Sequence, residues 1–297
     1  MAAPDFSITD VVGRGVNFGR DHWRAVAGVL ALNAVVGGLN IGLDFADREE
    51  GNVFGLFSFV VSIMAAGALL RLAFQRDQPG RPDFRIGPQG LQWRGPEWRL
   101  TGAALLLLLV FFLMSLALIF VLVLFGVFLG LTGVMSGIGE GASADQIAER
   151  LGPGAAGGLA LMLLAFLVAV LWLAVRLALY SPATVAQGRI QLFATYSLTK
   201  GRFWKLLGTI VLASLPTIVA GLVAGGVVQV LGQAQVEDGP KIVALPVGLG
   251  LGFAVGAVAS FVQLPLISGV YAELYRKLAG GVPAEPATAR GTETAQP

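Results

Sequence analysis

Cysteine is absent from the 297 residues, and histidine occurs once, at His22. The first absence excludes disulfides and thiolate chemistry and leaves the redox compartment unmarked. The second leaves any hydrolase short of a base. Charge is scarce as well: 13% of residues are Asp, Glu, Lys or Arg, against about 25% in a soluble domain. A large part of this surface is therefore built for something other than water. An enzyme needs a nucleophile with its base, a carboxylate pair or a set of metal ligands. The acidic run at residues 44–50 could attract a divalent cation, but such a run is more often a solvated loop. The reading is non-enzymatic, with no catalytic, metal or cofactor site expected.

What the chain has is long uncharged runs. A bilayer core of about 30 Å needs about 20 helical residues. Residues 25–43, 51–70, 100–138, 151–175, 206–236 and 242–272 carry no charge. These are six candidate spans. The third run is about twice the needed length and reads as one tilted helix continuing past the membrane through 130–139. The alternative is two spans with a buried hairpin. Residues 1–24 are charged throughout and do not read as a cleavable signal.

The distribution of charge orients these spans. Of the 20 basic residues, only Arg48, Arg150 and Lys241 fall on the side reached after the first, third and fifth spans, together with half of the 18 acids. The other 17 basic residues share the side of the two termini, which the positive-inside rule makes cytoplasmic. An extra span within 100–138 would invert everything after it and spoil the asymmetry.

The spans also share their ends. Trp23-Arg24, Trp98-Arg99 and Trp204-Lys205 precede the odd-numbered spans. Arg71-Leu72-Ala73-Phe74, Arg176-Leu177-Ala178-Leu179-Tyr180 and Tyr275-Arg276-Lys277-Leu278-Ala279 close the even-numbered ones. Three helical hairpins, each entering and leaving from the cytoplasm, account for this. The preference of Trp and Lys/Arg for headgroups could create the same pattern without internal duplication.

Two further segments read as surface elements. From Ser7 to Arg24, Ile8, Val11, Val12, Val16, Phe18 and Trp23 share one helical face and the charged residues the other, with Ser7 and Asp10 as an S-x-x-D start. This is an amphipathic helix lying in the interface or packed on the bundle. Residues 181–200 read as a second surface helix opened by Pro182. Val185, Ile190, Leu192, Phe193 and Tyr196 lie on one side of it, and Thr184, Gln187, Gln191 and Thr195 on the other. The predicted fold is thus an all-α integral membrane protein. Residues 1–24 form an amphipathic N-terminal segment and residues 25–279 a six-helix transmembrane domain with interfacial helices. Residues 280–297, rich in Gly, Pro, Ala and Thr, read as a disordered tail.

The run YSPATVAQGRIQLFATYSLTKGRFWKLLGTIVL resembles a recurring segment of the bacterial glycerophosphoryl diester phosphodiesterase membrane-domain family and related multi-pass proteins. Pro182, Ser197, Leu198, Thr199, Gly201 and Trp204 fit that pattern, while Gln187 stands where the family carries an acid. The resemblance implies a bacterial inner-membrane protein. It does not imply the phosphodiesterase, which is a separate soluble domain.

Two candidate sites follow. Arg189, Lys200, Arg202 and Lys205, with Trp204 as anchor, form a candidate contact for anionic lipid, because no acid lies between Arg176 and Lys205. Nucleic acid is not expected, since these residues lie within a turn or two of apolar runs. Gly248, Gly252 and Gly256, and likewise Gly221 and Gly225, recur every four residues and form candidate helix-packing faces. Pro216, Pro246 and Pro265 are expected to kink the last two spans. Expected partners are membrane lipids, other membrane proteins or a second copy. The function reads as a structural or interaction protein of the envelope. The alternative is a transporter or lipid-handling protein using the kinked, glycine-rich last two helices.

Overall fold

The computed structural model describes residues 6–45, 51–128, 144–234 and 244–280. Every regular element among them is helical: α1 (Ile8–His22), a 3-10 turn (Trp23–Val26), α2 (Ala27–Phe45), α3 (Gly51–Gln75), 3-10 turns at Pro82–Phe84 and Pro88–Gly90, α4 (Gly95–Phe128), α5 (Ala144–Leu177), α6 (Tyr180–Gln187), α7 (Ala194–Leu198), α8 (Phe203–Ala234), α9 (Ala244–Ala257), a π-helical turn (Val258–Gln263) and α10 (Leu264–Ala279). Among the described residues six helices are long and apolar enough to cross a membrane. The chain is an all-α, multi-pass membrane protein.

The long third run is one unbroken helix to Phe128. At 1.5 Å per residue its 34 residues reach about 51 Å, which a bilayer core accommodates only by tilt or by projection beyond it. The stretch 130–139 and the tail 281–297 lie outside the described residues.

The chain divides into two compact units, Met1–Ala103 with Ala178–Pro297, and Ala104–Leu177. In the second unit the apolar stretches of α4 and α5 leave large side chains such as Phe112, Leu116, Phe120, Leu161 and Leu167 exposed, as expected of a surface that meets lipid tails. The Phe125 ring lies over Gly158, 2.9 Å from where a Cβ would stand.

In the first unit, α2 and α3 pack as a hairpin around Val26, Val29, Leu30, Ala65, Ala68 and Leu69. The partner of α2 on its other side is α9, the beginning of the sixth span. The second half of that span, α10, packs on α1 and α3. The two halves meet at the π turn. Pro265 has no N–H for the Phe261 carbonyl four residues earlier, and the backbone widens just before it. Asn33 donates to Ser260 Oγ in that turn at 2.9 Å, and Ser62 Oγ donates to Asn33 Oδ1 at 2.8 Å. The first, second and sixth spans are thereby tied by polar side chains that find partners in each other, as groups in hydrocarbon must.

The amphipathic N-terminal helix docks on the bundle. Val11 and Gly15 are buried. A Cβ at Gly15 would stand 2.5 Å from Val270 Cγ2, and one at Gly269 would stand 3.0 Å from Gly15 Cα. The two helices therefore meet backbone to backbone. Residues 181–200 differ from their periodicity, which reads as one helix. Gly188, at φ 65°, ends α6 in the left-handed region, and α7 begins only at Ala194. Thr184 and Thr195, placed on the outer side by periodicity, are fully buried, whereas Ile190, Phe193 and Tyr196 are exposed. The threonines can be buried because each finds a partner: Thr184 Oγ1 accepts from the Gln191 N–H, and Thr195 Oγ1 donates to the Leu192 carbonyl.

Candidate functional site

The strip from Arg189 to Lys205 is built on short turns. Thr199 Oγ1 donates to the carbonyls of Thr195 and Tyr196, closing α7. Gly201, at φ 79°, reverses the chain into α8, a conformation that explains glycine at this position of the motif. Trp204 is then 78% exposed, edge-on to Phe203 with ring centroids 5.1 Å apart. Arg189, Lys200 and Lys205 are exposed and Arg202 is half-buried. Arg189 donates to Gln187 Oε1 at 3.3 Å. Gln187 Nε2 donates to the Tyr275 hydroxyl at 3.0 Å, so Gln187 serves as a neutral link to α10.

The two glycine faces differ. A Cβ at Gly252 would lie closer than 3.0 Å to Gly38 O, Gly42 N and Gly42 Cα, and one at Gly256 would lie 2.8 Å from Ala34 O and Gly38 N. The Gly248 carbonyl oxygen sits 3.0 Å from a Cβ position at Gly42. The partner of this stripe is thus the Gly38–Gly42 face of α2. A Cβ at Gly221 or Gly225 would meet no side chain and no neighbouring helix within 4 Å among the described residues.

Two charged arrangements escaped the reading of the sequence. Arg71, expected to reach for headgroups from a helix end, is fully buried. Its Nη2 pairs with Glu97 Oε1 at 2.8 Å, and Glu97 is equally buried. Arg71 Nε and Nη1 donate to the carbonyls of Gly67 and Arg85, and Glu97 Oε2 accepts from the Arg94 N–H at 2.9 Å. The pair fastens the connection 76–94 beneath α3 and the start of α4. Glu97 lies in a P-E-W-R context that a count of loop charges treats only as one acid among many.

The second arrangement joins α1, the end of α3 and the end of α10. Glu273 Oε1 pairs with Arg14 at 3.0 Å, and its other oxygen with Arg276 at 3.4 Å. Arg276 also pairs with Asp77 at 2.7 Å and donates to the Ala73 carbonyl. Lys277 reaches Asp10 at 2.6 Å. Hydrogen bonds from Lys277 and then Arg14 hold the Asp10 carboxyl below the usual carboxylate range. Beside this network an open pocket of roughly 390 Å³ is lined by Arg14, Phe18, Asp21, His22, Leu72, Arg76, Asp77, Glu273 and Arg276 among others. The i,i+3 spacing of Glu273 and Arg276 was the one local signal of it. Arg14 and Asp77 come from far away in the chain.

No family model, curated protein or solved structure matches the chain. Among the described residues no group of three or more His, Cys, Asp or Glu is placed to hold a metal ion.

Proposed function

We propose that this is a non-enzymatic, multi-pass protein of the bacterial inner membrane, akin to the glycerophosphoryl diester phosphodiesterase membrane-domain proteins. Its role is as a structural or interaction protein that engages anionic lipid at the cytoplasmic face. The observation that carries the reading is the exposed Trp204 at the foot of α8. In sequence it follows Lys200 and Arg202 and precedes Lys205, in a stretch that also holds Arg189 and has no acid from Arg176 to Lys205. Indole rings favour headgroup depth, and each basic residue near an anionic surface contributes about 1 kcal/mol.

Changing Arg189, Lys200, Arg202 and Lys205 together to Gln is expected to lower the phosphatidylglycerol and cardiolipin retained in native mass spectrometry. Retention equal to wild type overturns the lipid contact and leaves the charges with orientation alone.

Orientation has its own test, which the lack of native cysteine makes clean. Single cysteines at 46–51, 143–149 or 236–239 are expected to react with a membrane-impermeant maleimide added to intact cells, and cysteines at 78–90 to be protected. External labelling within 78–90 overturns the topology.

A further inference from the structure

The pocket between α1, α3 and α10 has a charge pattern that names a ligand class. Most of its charges are already neutralised by each other: Arg14 and Arg276 share Glu273, and Arg276 also holds Asp77. Two residues are left over. Asp21 lines the pocket and makes no ion pair among the described residues. Among the described residues the Arg76 side chain meets a ring nitrogen, His22 Nε2, at 3.5 Å and no carboxylate. The Phe18 carbonyl oxygen, 3.0 Å from His22 Nδ1, accepts the Nδ1 proton. Among the described residues the Arg76 guanidinium makes no ion pair. The apolar part of the lining is Phe18 of α1 with Leu72, Ala73 and Gly269, the last three from two membrane-spanning helices near the ends that bear Arg76 and Arg276. Headgroups stand at that level.

We infer that this pocket binds a zwitterion with one phosphate and one amine, the chemistry of a phosphoethanolamine headgroup, with the phosphate at Arg76 and the ammonium at Asp21. A guanidinium suits a phosphate through paired charge-assisted hydrogen bonds, and a free carboxylate suits an ammonium. The volume falls in the range of small-ligand sites, about 300–1,000 Å³. This inference is independent of the basic strip on α7 and α8. It concerns a different lipid and different residues, so either reading can fail without the other.

The test uses the full chain in nanodiscs, with bound lipid measured by native mass spectrometry against mixed phosphatidylethanolamine and phosphatidylglycerol, and with Arg189, Lys200, Arg202 and Lys205 changed to Gln throughout so that the pocket alone is read; wild type here means unaltered at the pocket. Wild type is expected to retain phosphatidylethanolamine preferentially. Arg76→Gln is expected to weaken both lipids about tenfold, the loss of one charge-assisted contact. Asp21→Asn is expected to weaken phosphatidylethanolamine by a similar factor and leave phosphatidylglycerol unchanged, a split that a general loss of fold would not produce. Both residues are exposed, and a thermal melt equal to wild type checks that the variants fold. Soluble phosphoethanolamine added to delipidated protein separates the sources. Saturable, Asp21-dependent binding assigns the site to a free zwitterion, and binding only of the diacyl form assigns it to lipid. Equal retention of both lipids by wild type, or retention unaltered in both variants, overturns the inference.

Discussion

Gly252→Ala is expected to unfold at a markedly lower temperature than wild type in detergent, while Gly221→Ala unfolds at or slightly above it. Both substitutions add the same methyl group to a membrane helix, and in isolation alanine favours the helix by about 1 kcal/mol. They differ in what the methyl meets. At Gly221 it meets no side chain and no neighbouring helix within 4 Å among the described residues. At Gly252 it would fall on the backbone of Gly38 and Gly42, and backbone cannot move aside as a flexible side chain can. The α2–α9 contact must then widen along its length, at about 1–3 kcal/mol for an overpacked methyl and more if the Asn33–Ser260 hydrogen bond is pulled apart with it. Gly256→Ala is expected to behave like Gly252→Ala for the same reason. Equal melting of Gly252→Ala and wild type would show that α9 does not pack on α2 in this register.

The second large effect is at Arg71 and Glu97. Either charge removed alone, as Arg71→Met or Glu97→Leu, leaves the other buried without its partner, at about 3–5 kcal/mol. Accumulation of either single variant in the membrane is expected to fall severely. The double variant is expected to recover much of the loss, because two apolar side chains of similar bulk leave no buried charge unpaired. A double-mutant cycle on thermal unfolding reads this directly. Additive losses in the double variant would contradict a direct ion pair. The recovery is expected to be incomplete, since Arg71 also holds the Gly67 and Arg85 carbonyls and Glu97 the Arg94 N–H.

Much of the architecture was legible in the residue order. Runs of about twenty uncharged residues must be helical in lipid, because only a helix satisfies every backbone polar group within its own segment. The six spanning helices follow from that single constraint. The amphipathic period of residues 7–24 placed Val11 on the apolar face, and α1 buries it, while Val16 and Trp23 of that face stay exposed.

Periodicity failed at 181–200. There, hydrogen bonds to nearby backbone groups let Thr184 and Thr195 go inside, and a glycine divided the helix that the pattern had joined. It failed again at Arg71, where a basic residue at a helix end normally reaches for water. Its counter-charge, Glu97, lies in the next helix, and only the turn of the chain between them shows that the two meet.

By itself the sequence determined that this chain is helical, where its helices run, and that they are apolar enough to cross a membrane. Each of these depends on residues within a few turns of one another. Only the tertiary structure decided which helices touch. The Gly248–Gly252–Gly256 stripe shows that some backbone comes close but not whose, and the answer is α2. Glu273 gives no sign of Arg14, 259 residues away, yet that contact docks the first helix on the last and frames the pocket where Arg76 and Asp21 are left over. Apolar side chains attract without direction, so the choice among partners falls to the fit of small-residue grooves and to a few buried polar groups. Those terms exist only once helices distant in sequence stand side by side.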